Sequence, residues 1–222
     1  DAWAKAGKSV RTVNKHHNQI LCAFRWAVTI ELIPANVWHA LQAVPRLKPR
    51  RSPAKDPREV GPVEWSTVEA IRGHVRPQVW AMICVQWHTG MRSGELLSMT
   101  TGQISDWIYR PGSHKNAWRG HVREIPIGPK CREVLNEWIE GKAPTDRLFP
   151  GYTAQSYGRA IARACEAAGV PHWHPHQLRH SYATRVRASH GLDAAQAILG
   201  HKHASVTEIY AEKVFGLAKR VS

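Results

Sequence analysis

Two arginines, two histidines and a tyrosine stand in a fixed order along this chain of 222 residues. Arg92 lies in Thr89-Gly90-Met91-Arg92-Ser93-Gly94-Glu95-Leu96, and His176 and Arg179 lie in His176-Gln177-Leu178-Arg179-His180. His201 follows Leu199-Gly200, and Tyr210 comes nine residues after it. Such a set suits chemistry on a phosphodiester: guanidinium forks hold the non-bridging oxygens, imidazoles handle protons and a phenol can attack. Arg92 and Glu95 are three apart, as are His176 and Arg179. On a helical turn each pair shares a face, so the Glu95 carboxylate can hold a neighbouring basic group. Taken singly, either spacing reads equally well as a surface salt bridge. Order and context set these residues apart.

The elements that must position them are mostly helical. Val10, Val13, His17, Ile20, Leu21, Phe24 and Ala27 recur at three- and four-residue steps after Ser9, a natural N-cap, and Ile33-Pro34-Ala35-Asn36 separates them from a short helix through Val37, Trp38 and Leu41. Residues 1–45 bury too little surface to stand alone. They read either as the end of a larger helical module or as a helical hairpin on the main domain. Residues 46–62 are proline-rich and basic and predict an extended linker without core contacts. Lys48, Arg50 and Arg51 there either touch phosphates or keep a solvated tether soluble.

A domain over residues 63–222 follows. Glu64–Gly73 and Pro77–Thr89 read as helices, the second stopped by Gly90, which leaves Arg92 just beyond a helix end. Short strands are expected at Ile104–Tyr109, around His114-Lys115 and at Val122–Ile127. Helices return at Pro129–Glu140, Ala154–Ala168, Pro175–Ala188, Asp193–Leu199 and Ala204–Tyr210. The fold class is α+β, mainly α, with one small antiparallel sheet.

Lys and Arg number 31 against 17 Asp and Glu, a net charge of +14, so a polyanion is the expected partner and nucleic acid the first choice. No long apolar span or secretory leader is present, which sets the membrane reading aside. The four cysteines, Cys22, Cys84, Cys131 and Cys165, form no CxxC pair and read as small core residues in a reducing cytoplasm. His172, His174 and His176 alternate, but Pro175 interrupts them and no carboxylate or cysteine completes a shell, so no metal is expected.

The motifs resemble those of the tyrosine recombinases, the phage-integrase family of DNA strand-exchange enzymes. In that family TG-x-R-x-x-E-L carries one catalytic arginine, H-x-L-R-H a histidine and the second arginine, and L-G-H…T-x-x-Y the last histidine and the tyrosine. The first two are matched here nearly letter for letter, and Thr207 and Ile209 flank Tyr210 as in the third. The resemblance implies a helical core-binding domain, ending at about residue 45, before the catalytic one. It also implies a catalytic lysine on a hairpin before an R-x-(V/I)-P-(L/I) strand, here Lys115 before Arg123-Glu124-Ile125-Pro126-Ile127. Tyr210 would attack the phosphate, Arg92 and Arg179 would neutralise the developing charge, and His176 would help remove the tyrosine proton. His201 would hydrogen-bond a phosphate oxygen, and Lys115 would protonate the leaving 5′-oxygen.

The implied activity is site-specific recombination on double-stranded DNA through a 3′-phosphotyrosyl intermediate, integrating or excising a mobile element, with no cofactor. A monomer when free and a tetramer on paired sites is expected, with Lys202 among the sequence-blind phosphate contacts. Val214, Phe215 and Leu217 could dock on a neighbouring protomer or fold back on their own domain. Two other readings share the scaffold: a catalytically silent DNA-binding protein, and a type IB topoisomerase-like nick-and-reseal enzyme. That enzyme group generally has lysine where His176 stands. Gln177, where an acidic residue is common, and Val206, where threonine or serine is common, depart from the family pattern.

Overall fold

The computed structural model describes residue 3 and residues 6–56, 60–112 and 123–199. It divides into two compact units, Asp1–Val60 and Gly61–Ser222.

In the first unit, helix α1 (Val10–Thr29) begins where Ser9 takes extended dihedrals and its hydroxyl accepts from the Thr12 amide at 3.2 Å. That bond satisfies one amide of the first turn and fixes the start. Pro34 precedes helix α2 (Ala35–Gln42). The basic stretch that follows behaves differently from a tether without core contacts. The Asn14 side chain grips Leu47 from both sides, accepting from its amide and donating to its carbonyl, each at 2.9 Å. Val10 N donates to Lys55 O at 2.9 Å, and Ala54 packs on Val10 as a buried pair. A small alanine and a two-way amide clamp let this irregular stretch lie on α1 where bulkier residues would hold it off. Lys48, Arg50 and Arg51 are exposed. Cys22 is exposed too, whereas Cys84, Cys131 and Cys165 are buried. The expectation of four core thiols fails at Cys22, which lies on the solvent side of α1.

The second unit carries helices α3 (Trp65–Glu69), α4 (Pro77–Thr89), α5 (Ser93–Ser98), α6 (Pro129–Ile139), α7 (Ala154–Ala167) and α8 (Pro175–Leu199). It also holds an antiparallel sheet in the order β1 (Ile104–Ser105), β2 (Ile108–Tyr109), β3 (Ile125–Pro126). The fold is α+β, mainly α. Helix α4 is its axis, packed against α5, α6 and α8. Its Val79, Met82, Ile83 and Val85 are each at most 1% exposed, and complete burial of such side chains stabilises by roughly 1.5–3 kcal/mol apiece. A helix apolar on nearly every side has to be central.

Two segments differ from expectation. The single strand expected over Ile104–Tyr109 is a hairpin, with Ile104 opposite Tyr109 and Ser105 opposite Ile108. Asp106 and Trp107 turn it with φ of 52° and 59°, the left-handed pair that a two-residue hairpin needs and that Trp rarely adopts. Helix α3 stops at Glu69, and a separate 3-10 turn covers Arg72–His74.

His88, near the end of α4, is held down to about 4 by burial and then by the cations of Arg185 and Lys130. Its folded pKa lies below the ordinary value, so the unfolded chain takes up the proton first as the solution is acidified. Stability is therefore expected to fall as the pH drops from about 6.5 towards 4. Melting temperatures across that range test this, with a shallower fall expected in His88→Gln than in the parent. Among the described residues no helix is long and apolar enough to cross a membrane.

Candidate active site

Helix α4 ends on Gly90 with φ 63°, a left-handed turn whose amide closes back on Gln86 O at 2.8 Å. A Cβ placed on Gly90 would stand 2.4 Å from Cδ1 of Tyr182, a buried residue of α8. Only glycine satisfies both the backbone and the neighbouring ring. Gly90→Ala is therefore expected to cost at least about 3 kcal/mol, a drop of roughly 6–12 °C in melting temperature, which thermal unfolding would read directly.

That close approach carries the α8 side chains onto the α4–α5 corner. Arg179, 3% exposed, donates from a guanidinium nitrogen to Gly90 O at 2.7 Å. Two residues later Arg92 opens α5. Its amide donates to Glu95 Oε2 at 2.7 Å, and its guanidinium donates to Glu95 Oε1 at 2.8 Å. The Glu95 side chain is 4% exposed and that of Arg92 30%, so the carboxylate is sunk beneath a guanidinium that still reaches solvent. The Tyr109 hydroxyl on β2 donates to Glu95 O at 2.7 Å and ties the sheet to α5. Gln86 clamps the loop between the helices through the Met91 carbonyl at 3.0 Å.

The start of α8 is set from two sides. Gln177 Oε1 accepts from His174 N at 3.0 Å, while its Nε2 donates to Gly61 O at the same distance. Ser181 Oγ accepts from Val63 N at 2.8 Å and donates to Val63 O at 2.7 Å. Gln177, a departure in the sequence, is thus the cap of the helix that carries His176. His176 lies one turn before Arg179, exposed, its ring 4.9 Å from that of His180 in an edge-on arrangement. Further along, Gly191 with φ 85° and ψ 175° breaks α8 between the two helices that the sequence predicts.

A third guanidinium completes the cluster. Arg123, just before β3, is 8% exposed, with Nε 3.7 Å from Glu95 Oε1. Burial, then repulsion from Arg92 and Arg123, pulls Arg179 down to about 9, against the opposing pull of Glu95; it remains a cation at neutral pH. Three guanidiniums around one carboxylate make a partly buried cluster with surplus positive charge. That suits an anion with several equivalent oxygens, such as a phosphodiester.

The structure thus brings Arg92, Glu95 and Arg179 together and places His176 on the Arg179 helix. Lys115, His201, Lys202 and Tyr210 lie outside the described residues, as do the helix expected over Ala204–Tyr210 and the tail of 211–222. His172 and His174 meet edge to face with ring centres 4.4 Å apart, and among the described residues no group of three or more metal-ligating side chains is assembled. Arg123 was legible only indirectly. It alternates with Ile125 and Ile127 along the strand, and a charge on a buried strand face needs a partner.

Residues 68–215 match the profile of the phage integrase family. The chain belongs to that family. Among curated members it is 33% identical over 141 residues to the tyrosine recombinase XerC of Stutzerimonas stutzeri, a match covering 59% of this chain and 46% of that protein. It is 34% identical over the same length, with the same coverage, to XerC of Azotobacter vinelandii. The match thus spans about half the length of these integrase-family relatives. Among solved structures, the Tn1549 transposon integrase in complex with circular intermediate DNA covers 97% of this chain and 82% of its own, at a TM-score of 0.66 and 19% identity. A lambda integrase dimer bound to a COC′ core site covers 89% and 57%, at 0.62 and 19%. At that identity the likeness is one of fold.

Proposed function

We propose that this chain is the strand-exchanging part of a site-specific DNA recombinase that integrates or excises a mobile element. The observation that carries the reading is the Arg179 to Gly90 hydrogen bond of 2.7 Å, which couples the two motif arginines through a shared corner. Paired guanidiniums, oriented and partly buried before any ligand arrives, are preorganised for the charge of a five-coordinate phosphorus. The names of both structural neighbours include DNA or a core site, which supports the same substrate.

In this reading the Tyr210 oxygen forms a bond to the scissile phosphorus as the bond from phosphorus to the 5′-oxygen breaks. The tyrosine proton leaves with the help of His176, and Lys115 delivers a proton to the departing 5′-oxygen. Arg92 and Arg179 bind the non-bridging oxygens, with a hydrogen bond from His201. The 3′-phosphotyrosyl link keeps the ester energy, and the 5′-hydroxyl of a second strand reverses the step. No cofactor takes part. The first unit serves as the end of a core-binding domain, and Lys48, Arg50, Arg51 and Lys202 contact the backbone without reading sequence. Four protomers assemble on paired sites in the cytoplasm.

Two labelled duplexes carrying candidate sites from DNA flanking the gene, incubated in EDTA with the full-length protein, test this. Joint molecules are expected. Relaxation of supercoiled plasmid without joints would favour the topoisomerase-like reading, and binding without either would favour the silent one.

A further inference from the structure

The roles above leave Arg123 unused, although it is buried beside Glu95. It is 8% exposed, on the strand side shared with Ile125 and Ile127, and burial pulls its pKa down while Glu95 opposes. Burying a guanidinium carries a desolvation cost that a partner has to offset. Glu95 alone does not demand Arg123. The carboxylate already receives two hydrogen bonds from Arg92, at 2.7 and 2.8 Å, and a single guanidinium balances its charge.

The surplus becomes useful when the charge of the whole pocket is considered. Arg92, Arg123 and Arg179 set against Glu95 leave a net charge of +2. Without Arg123, Glu95 would cancel Arg92, the arginine that reaches solvent, and only the charge of Arg179 would remain. We propose that Arg123 is a positioning residue of the candidate active site: it shares the charge of Glu95, so that this carboxylate orients Arg92 without neutralising it. The bond to Glu95 fixes where Arg92 points. The 3.7 Å ion pair with Arg123 keeps Arg92 effective as a cation. The substrate in this inference rests on the proposed function, but the charge balance does not.

The test uses sulfate as a phosphate-like probe, its affinity taken from the rise in melting temperature with concentration, beside cleavage of a nicked duplex. Removing one unit charge several ångströms from an anion in a partly buried site corresponds to roughly a ten- to fiftyfold loss of affinity. Arg123→Gln is expected to weaken sulfate by that factor and to slow cleavage at least as much at saturating DNA. Arg123→Lys should keep sulfate affinity within about threefold, since the charge persists. The decisive variant is Arg123→Gln with Glu95→Gln, which restores the net charge of the pocket. Its sulfate affinity should return to within about threefold of the parent, an outcome that a merely structural arginine would not produce.

Wild-type sulfate affinity and cleavage in a folded Arg123→Gln protein would overturn the inference. So would a double variant at least as weak as Arg123→Gln alone. Should Arg123→Gln fail to fold, the lysine and double variants carry the comparison. Arg123-dependent sulfate binding in a protein that cleaves no DNA would sink the functional reading and leave this one standing.

Discussion

Arg179→Ala is expected to lower strand cleavage by about 10³–10⁵-fold while leaving the protein folded, the range seen when an arginine that meets transition-state charge is removed from a phosphoryl-transfer site. The guanidinium is 3% exposed and fixed to Gly90 O at 2.7 Å, so in the proposed role it would meet a phosphate without reorganising. Stability should respond far less than activity, because two effects oppose. Losing the bond leaves a buried carbonyl unpaired, at a cost of about 1–3 kcal/mol. Removing the cation relieves repulsion from Arg92 and Arg123, which together with burial holds its pKa down at about 9. The melting temperature in sulfate-free buffer should therefore move by a few degrees at most, on the order of 5 °C. Arg179→Lys should recover only a small part of the rate, since a point charge cannot reproduce the planar fork. Single-turnover cleavage beside thermal unfolding checks both halves. A collapse of fold together with activity would make Arg179 a structural residue.

Much of this site could be read before the fold was seen, because its chemistry is concentrated in short segments whose local conformations are simple. Gly90 after an apolar helix announces a left-handed stop, and the i,i+3 spacing of Arg92 and Glu95 announces their contact. Ser9 likewise marks the start of α1. What the chain order does not contain is convergence over long separations. The Arg179 bond to Gly90 spans 89 positions, and nothing in either motif names the other as its partner. Tyr182 against Gly90 is equally invisible, since a glycine's need for space depends on a ring from another helix. The Asp106-Trp107 turn is hidden because Trp107 and the flanking isoleucines favour strand, which outweighs the turn signal of the single Asp106. Arg123 escaped because its charge looked like a marker for Lys115 rather than a participant. The basic stretch after α2 read as a tether because proline and charge suggest solvent, while the asparagine clamp that docks it comes from α1.

The second large effect concerns Tyr210. As the proposed nucleophile its phenolic oxygen would form the new bond to phosphorus, so Tyr210→Phe should abolish covalent attachment altogether, a loss of at least about 10⁴-fold. Binding to DNA should stay within a factor of about two, since the pocket of Arg92 and Arg179 and the basic surface are untouched. Two other tyrosines, Tyr109 and Tyr157, give a built-in contrast. Tyr109 and Tyr157 are fully buried, and burial raises both phenols, Tyr109 to about 12, so neither is poised to attack.

The most direct measurement is covalent trapping. Full-length protein and its Tyr210→Phe variant would be incubated with a labelled nicked duplex, quenched in SDS and resolved by gel. A protease-sensitive adduct is expected, linked through a 3′-phosphate to the peptide containing Tyr210 and absent from the variant. An adduct that persists in Tyr210→Phe, or sequence-specific binding with no adduct from either protein, would contradict a nucleophilic Tyr210.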